Sequence, residues 1–183
     1  MDTRRILVTG ASGFLGWNLL RAPWADWEWI GSSCRHDPEL SGLDVLRTDL
    51  TTPGAIPALL DAARPDVVLH TAAVTNLTVC ERDPDGTFHI NVEVPAILAR
   101  LCVERGIRLV FTSSDMVFDG RNPPYGEACP PCPVNSYGRQ KAEAEARVLA
   151  VNPGAAICRM PLMFGAAGPW AHHFLPEWIG TLR

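Results

Sequence analysis

Residues Arg5-Ile6-Leu7-Val8-Thr9 form a short β-rich run, and Gly10-Ala11-Ser12-Gly13-Phe14-Leu15-Gly16 follows without a break. The glycines fall three residues apart, after a predicted strand and at the start of a helix predicted over Gly13 to Leu20. Gly10 permits a tight turn, Gly13 lets the backbone approach a pyrophosphate, and Gly16 lets the helix pack close to a sheet. The helix N-terminus then presents free N–H groups and a positive dipole. A plain glycine-rich turn is the alternative. The place of the motif, between strand and helix, favours a dinucleotide site built from Gly10, Ser12, Gly13, Phe14, Leu15 and Gly16.

Outward from that turn, strand and helix signals alternate. Trp27 to Ile30 and, more weakly, Val45 to Arg47 read as strands. Pro53 to Ala63 reads as a helix, with Pro65 beyond its end. Asp66-Val67-Val68-Leu69 is a buried-strand pattern. Thr87 to Arg105 reads as one long amphipathic helix ended by Gly106, with Pro95 placed to kink it. Ile107 to Phe111 and Ala155 to Met160 are further strands, and Ser136 to Ala150 is a helix. Between them, Arg121 to Pro133 is a Pro- and Gly-rich loop. The pattern predicts an α/β fold: a Rossmann-like, doubly wound parallel sheet with helices on both faces and ligands beyond the strands' carboxyl ends.

Composition narrows the function classes. A chain of 183 residues, 47% apolar and with net charge −4, suits one domain and no disordered tail or strongly basic nucleic-acid binder. No apolar run reaches the ~18 residues of a membrane span. Met1 to Arg5 leads too quickly into the first strand for a signal peptide, so a cytoplasmic protein is expected. Cys34, Cys80, Cys102, Cys129, Cys132 and Cys158 are irregularly spaced and read as free thiols. Cys129-Pro-Pro-Cys132 has redox or zinc spacing, but no second ligand pair accompanies it, and loop cysteines are the reading taken. His172 and His173 are expected at the surface and Trp24, Trp27 and Trp29 as packing around the second strand, so no metal is expected.

The end of the second strand bears on the coenzyme. Gly31-Ser32-Ser33-Cys34-Arg35-His36 has no acid until Asp37. Ser32, Ser33 and Arg35 suit a 2′-phosphate, which favours NADP, with NAD the alternative. Asp49-Leu50 follows the third strand signal; Asp49 either accepts from an adenine amino group or caps the next helix.

Tyr137-Gly138-Arg139-Gln140-Lys141 places the sole lysine of the chain four residues after a tyrosine, on one helix face. An ammonium beside a phenol favours the phenolate, and is expected to lower a pKa that is otherwise near ~10. Ser113-Ser114 follow a strand, where a hydroxyl can hold a substrate carbonyl oxygen or merely cap a turn. Small Ala72 and Ala73 leave room for a cofactor.

Together, Thr9-Gly10-x-x-Gly13-x-x-Gly16, Ala72-Ala73, Ser114 and Tyr137-x-x-x-Lys141 resemble the extended short-chain dehydrogenase/reductase family. Pro65 to Ala73, Ser113-Ser114-Asp115-Met116-Val117-Phe118-Asp119-Gly120 and Pro133 to Lys141 are similar to its dTDP-4-dehydrorhamnose reductase branch. The resemblance implies a catalytic set of Ser114, Tyr137 and Lys141, a nucleotide-linked 4-keto sugar as substrate, and NADPH as hydride source. Asp115, Met116 (where the branch usually has Tyr) and Arg159 would border the sugar, and Asn91 would be structural. The branch includes a regulatory relative, the β subunit of methionine adenosyltransferase, which keeps the cofactor site without turnover. An NAD-dependent epimerase or dehydratase is a third reading. Residues 1–165 are expected to be the cofactor domain and 166–183 the start of a truncated substrate region. A homodimer through the two long helices is the expected assembly; otherwise their apolar faces only cover the sheet.

Overall fold

A computed structural model describes residues 3–22 and 26–171. Its sheet has six parallel strands: β1 (Arg4–Thr9), β2 (Trp27–Ser33), β3 (Asp44–Arg47), β4 (Val67–His70), β5 (Arg108–Ser114) and β6 (Ala156–Met160). The order is β3-β2-β1-β4-β5-β6. The chain therefore winds one way from β1 and the other way from β4, which is the doubly wound arrangement the sequence predicts.

Alternation along the strands explains the two layers. Ile6, Val8, Trp29, Val67 and Leu69 face α1 (Phe14–Arg21) and its Leu20. Leu7, Ile30, Val68, Leu109 and Phe111 face the other way. They pack against α2 (Ala55–Ala63), α5 (Val94–Arg105) and α6 (Ser136–Val151). Each fully buried Leu or Val contributes about 1.5–3 kcal/mol of transfer free energy, so both faces must be covered. Trp27 and Trp29 pack into the α1 layer as predicted, while Trp24 and the His172–His173 pair lie outside the described residues.

The helix predicted over 87–105 is divided. Pro84–Phe88 forms α4, His89–Glu93 a π turn, and α5 begins at Val94. The physical reason is Pro95. It has no N–H to return to the Asn91 carbonyl, so the turn before it widens, and the Val94 N–H reaches back five residues to His89. A short α3 (Leu77–Arg82) also forms where no helix was predicted. Asn76 caps it, accepting from the Val79 N–H at 3.0 Å, and Asp83 ends it and caps α4. Strands β2 and β5 run to Ser33 and Ser114, so they deliver these serines to the carboxyl edge of the sheet.

Candidate active site

Beyond the carboxyl ends of the strands, at the point where the winding reverses, lies a crevice of about 520 Å³. Gly10, Ser12 and Gly13 line it from the first turn, Ser32 and Arg35 from the end of β2, Asp49 and Leu50 from the end of β3, and Ala72 and Ala73 from the end of β4. Phe14, Leu15 and Gly16 do not line it; Gly16 works behind the turn. A Cβ on Gly16 would run into the Gly10 carbonyl, and one on Gly10 would lie 2.8 Å from the Ala72 nitrogen. Gly10 also has φ +74°, a conformation that costs L-residues about 1 kcal/mol or more. The backbone is drawn in where a side chain would otherwise stand, and this clearance fits a dinucleotide.

A buried network fixes that turn to β4. The Thr9 hydroxyl meets His70 Nδ1 at 2.8 Å and accepts from the Thr71 N–H at 3.2 Å. The Thr71 hydroxyl returns a bond to the Thr9 carbonyl at 2.6 Å. His70 is buried, and burial, with the nearby Lys141 charge adding, pushes its pKa down to about 3.

At the β2 end Arg35 is exposed and Ser32 is buried. The Asp37 carboxylate accepts from the Glu39 N–H at 2.8 Å and so serves its own turn. Asp49 is not a cap of α2, whose N-cap is Gly54. Its carboxylate instead accepts from the Thr51 hydroxyl at 2.6 Å and the Thr51 N–H at 2.9 Å. Those bonds, with Arg35 nearby, hold its pKa below the usual carboxylate range.

The third group sits where β5 meets α6. Asn135 caps α6, accepting from the Gly138 N–H at 2.7 Å. A side chain at Gly138 would strike the Met116 carbonyl, so the glycine lets α6 press onto the turn Asp115–Val117. Tyr137 and Lys141 are both buried on the sheet-facing side. The expected lowering of the phenol pKa is corrected here: burial, with Cys80 and Asp115 adding, pushes Tyr137 up to about 12. Lys141 does not offset this. Its Nζ lies over the Phe111 ring, 4.2 Å from the centroid, and burial brings its own pKa down to about 7, with Glu145 opposing. Ser114 caps the turn after β5: it accepts from the Met116 N–H and donates to Asp115 Oδ1, both at 3.1 Å.

Of the three residues expected at the sugar, Asp115 and Met116 lie on that turn and are exposed. Arg159 is engaged elsewhere. Its Nη2 reaches Glu145 Oε2 at 2.8 Å, its Nε reaches Oε1 at 3.1 Å, and its Nη1 reaches the Cys129 carbonyl at 3.3 Å. It clamps the 121–133 loop to α6. Asn91, from the π turn, is structural as expected: it accepts from the Val74 N–H at 2.9 Å and donates to Gln140 Oε1 at 2.7 Å. The six cysteines are free, and among the described residues no cluster of His, Cys, Asp and Glu is placed to hold a metal. No helix among the described residues is long and apolar enough to cross a membrane.

Sequence reasoning missed Thr9 and His70 as the staple behind the glycine turn, and Gly138 as the contact of α6. The available signals were a Thr directly before Gly10 and a polar His ending an otherwise apolar strand.

The strand order, the glycine turn and the Tyr-x-x-x-Lys helix define an extended short-chain dehydrogenase/reductase fold. Residues 4–175 match the model of the RmlD substrate binding domain, and the chain belongs to that family. Methionine adenosyltransferase 2 subunit beta of Danio rerio is 38% identical over 165 residues, which cover 88% of this chain and 49% of that protein. The structure of dTDP-4-dehydrorhamnose reductase from Bacillus anthracis in complex with NADP superposes with a TM-score of 0.80 at 26% identity, over 100% of this chain and 61% of that one. The Bordetella bronchiseptica enzyme WbmG, in complex with NAD and UDP, gives 0.67 at 26% identity, over 81% and 50%. The chain thus spans about half the length of the curated relative, and solved relatives carry NADP or NAD.

Proposed function

We propose that residues 1–165 are the cofactor domain of an NADP-dependent reductase of a nucleotide-linked 4-keto sugar, and that 166–183 begin its substrate region. The observation that carries this reading is the crevice at the reversal of winding, opened by Gly10 and floored by Ala72 and Ala73, with Tyr137 and Lys141 one helical turn apart on α6. When bound, NADPH supplies a hydride. Gly10, Ser12 and Gly13 would hold its pyrophosphate, and Ser32 and Arg35 its 2′-phosphate.

The chain's own groups handle the proton. Burial keeps Tyr137 a neutral phenol at neutral pH, so it carries the proton that a developing alkoxide takes. Ser114 has one donor, now given to Asp115; rotating that hydroxyl toward the substrate carbonyl orients the oxygen. The Lys141 amine, its pKa brought down to about 7 by burial, would donate to the nicotinamide ribose. The test is NADPH oxidation with a panel of 4-keto nucleotide sugars. Tyr137→Phe is expected to lose about 10²–10⁴-fold in turnover with NADPH affinity nearly intact. Equal turnover in the variant rejects the assignment.

A second reading is a cofactor-binding regulatory subunit without turnover. It is favoured by the 38% identity to a methionine adenosyltransferase 2 subunit beta. Retention of a methionine adenosyltransferase catalytic subunit in a pull-down supports it, and turnover on any sugar rejects it.

A further inference from the structure

Trp170 lies far along the chain from β2, yet it reaches the β2 end of the crevice. Its indole stacks on the His36 ring, with centroids 4.4 Å apart and planes 11° from parallel. Its Nε1–H donates to the Asp37 carbonyl at 2.7 Å. The segment that carries it is fastened to α1. Asn18 Nδ2 donates to the Ala166 carbonyl at 2.9 Å, and Gly168 lies so close to the Trp17 ring that a Cβ would fall 2.7 Å from its carbons. Trp17 itself donates to the Pro38 carbonyl at 3.1 Å. Residues 166–170 are therefore a strap that runs from the end of the sheet, over α1, to the turn after β2.

That turn faces the crevice with Arg35 and His36. Arg35 lies near Asp49 but forms no ion pair among the described residues, and the His36 ring nitrogens carry no hydrogen bond there. Asp37, the acid of the same turn, spends its carboxylate on the Glu39 N–H. A cation and an N–H donor side by side, with no carboxylate claiming them, suit a phosphate monoester. Both side chains are exposed, so a ligand that used them would have to order them first. The Trp170 stack removes part of that cost for His36 and fixes the backbone on which Arg35 stands.

Resting on the reading of the crevice as a dinucleotide site, we propose that Trp170 is a positioning residue for coenzyme choice. By stacking on His36 it holds the 34–37 turn so that Arg35 and His36 meet the 2′-phosphate of NADP together. The segment that follows β6 thereby sets selectivity at the far end of the cofactor.

The experiment is calorimetric titration of the same chain with NADP⁺, 2′,5′-ADP and NAD⁺, for the wild type, Trp170→Ala and Trp170→Phe. Trp170→Ala is expected to weaken NADP⁺ and 2′,5′-ADP by about tenfold and leave NAD⁺ within about twofold, because only the ordering of the phosphate end is lost. Trp170→Phe keeps a ring over His36 and is expected to recover most of the loss. Equal weakening of NAD⁺ and NADP⁺, or no weakening of either, overturns the proposal while the crevice reading stands. A wild-type chain that binds neither dinucleotide overturns both.

Discussion

Acidifying from pH 7 to about pH 5 is expected to destabilise this fold by about 2 kcal/mol through one imidazole, that of His70. His70 is 1% exposed, between β1 and β5, with Nδ1 on the Thr9 hydroxyl. Its neighbours are the Phe111 ring, at a centroid distance of 5.8 Å, and the Lys141 charge. Burial penalises the charged imidazole, the Lys141 charge adds to that, and the pKa falls from 6.5 to about 3. The sign follows from which state takes the proton. Below 6.5 the unfolded chain binds it and the folded chain does not, so stability is full above 6.5 and is lost as the pH falls toward about 3. About 1.5 units below the unfolded value, at ~1.4 kcal/mol per unit, the loss is about 2 kcal/mol. Urea unfolding followed by tryptophan fluorescence, at both pH values, measures it. His70→Asn keeps a polar end toward Thr9 and removes the titration, while the carboxylates common to both proteins cancel. The wild type is expected to lose about 2 kcal/mol more than the variant. Identical losses would refute the neutral, buried imidazole.

Lys141 is the only lysine, so ¹⁵N-lysine labelling gives a single side-chain signal. Its midpoint is expected near 7, moving lower in Glu145→Gln, and a midpoint at the ordinary lysine value would contradict its burial. Gly138→Ala forces α6 off the Met116 carbonyl and is expected to cost about 1–3 kcal/mol in thermal unfolding, whereas Gly126→Ala, which has open space, is near neutral. Asn91→Leu strands the Val74 N–H and Gln140 Oε1 and is expected to cost about 1–3 kcal/mol by urea denaturation.

The sheet was legible because its strands are short apolar runs set off by Gly and Pro, and because the glycine turn fixes where the first βαβ unit starts. The first turn and the helix from Ser136 read correctly for the same reason: each begins with its own cap or glycine signal. Residues 70–90 did not read. Asn76 and Asp83-Pro84 are cap signals, but they frame helices of six and five residues, too short to show a period. The π turn was hidden because apolar spacing does not register the one-residue widening that Pro95 imposes. At the candidate site, residue types pointed to Tyr137, Lys141 and the glycines, since chemistry and backbone clearance restrict those positions. The protonation of the phenol was misread, because sequence spacing gives an ammonium's proximity but not its direction, nor how deeply both groups are buried. The pairing of Arg159 with Glu145 did not read for a similar reason: Glu145 lies on α6, and only the packing of β6 against that helix brings them together.

On the function proposed above, the glycine turn and the ends of β2 to β4 form a seat for a nicotinamide dinucleotide. Titrating NADPH into the wild-type chain and into Gly10→Ala, whose added carbon would sit 2.8 Å from the Ala72 nitrogen, tests it directly. Saturable one-to-one uptake by the wild type, weakened about tenfold or more in the variant, is the predicted result. No saturable uptake, or equal affinity in the two proteins, would contradict it.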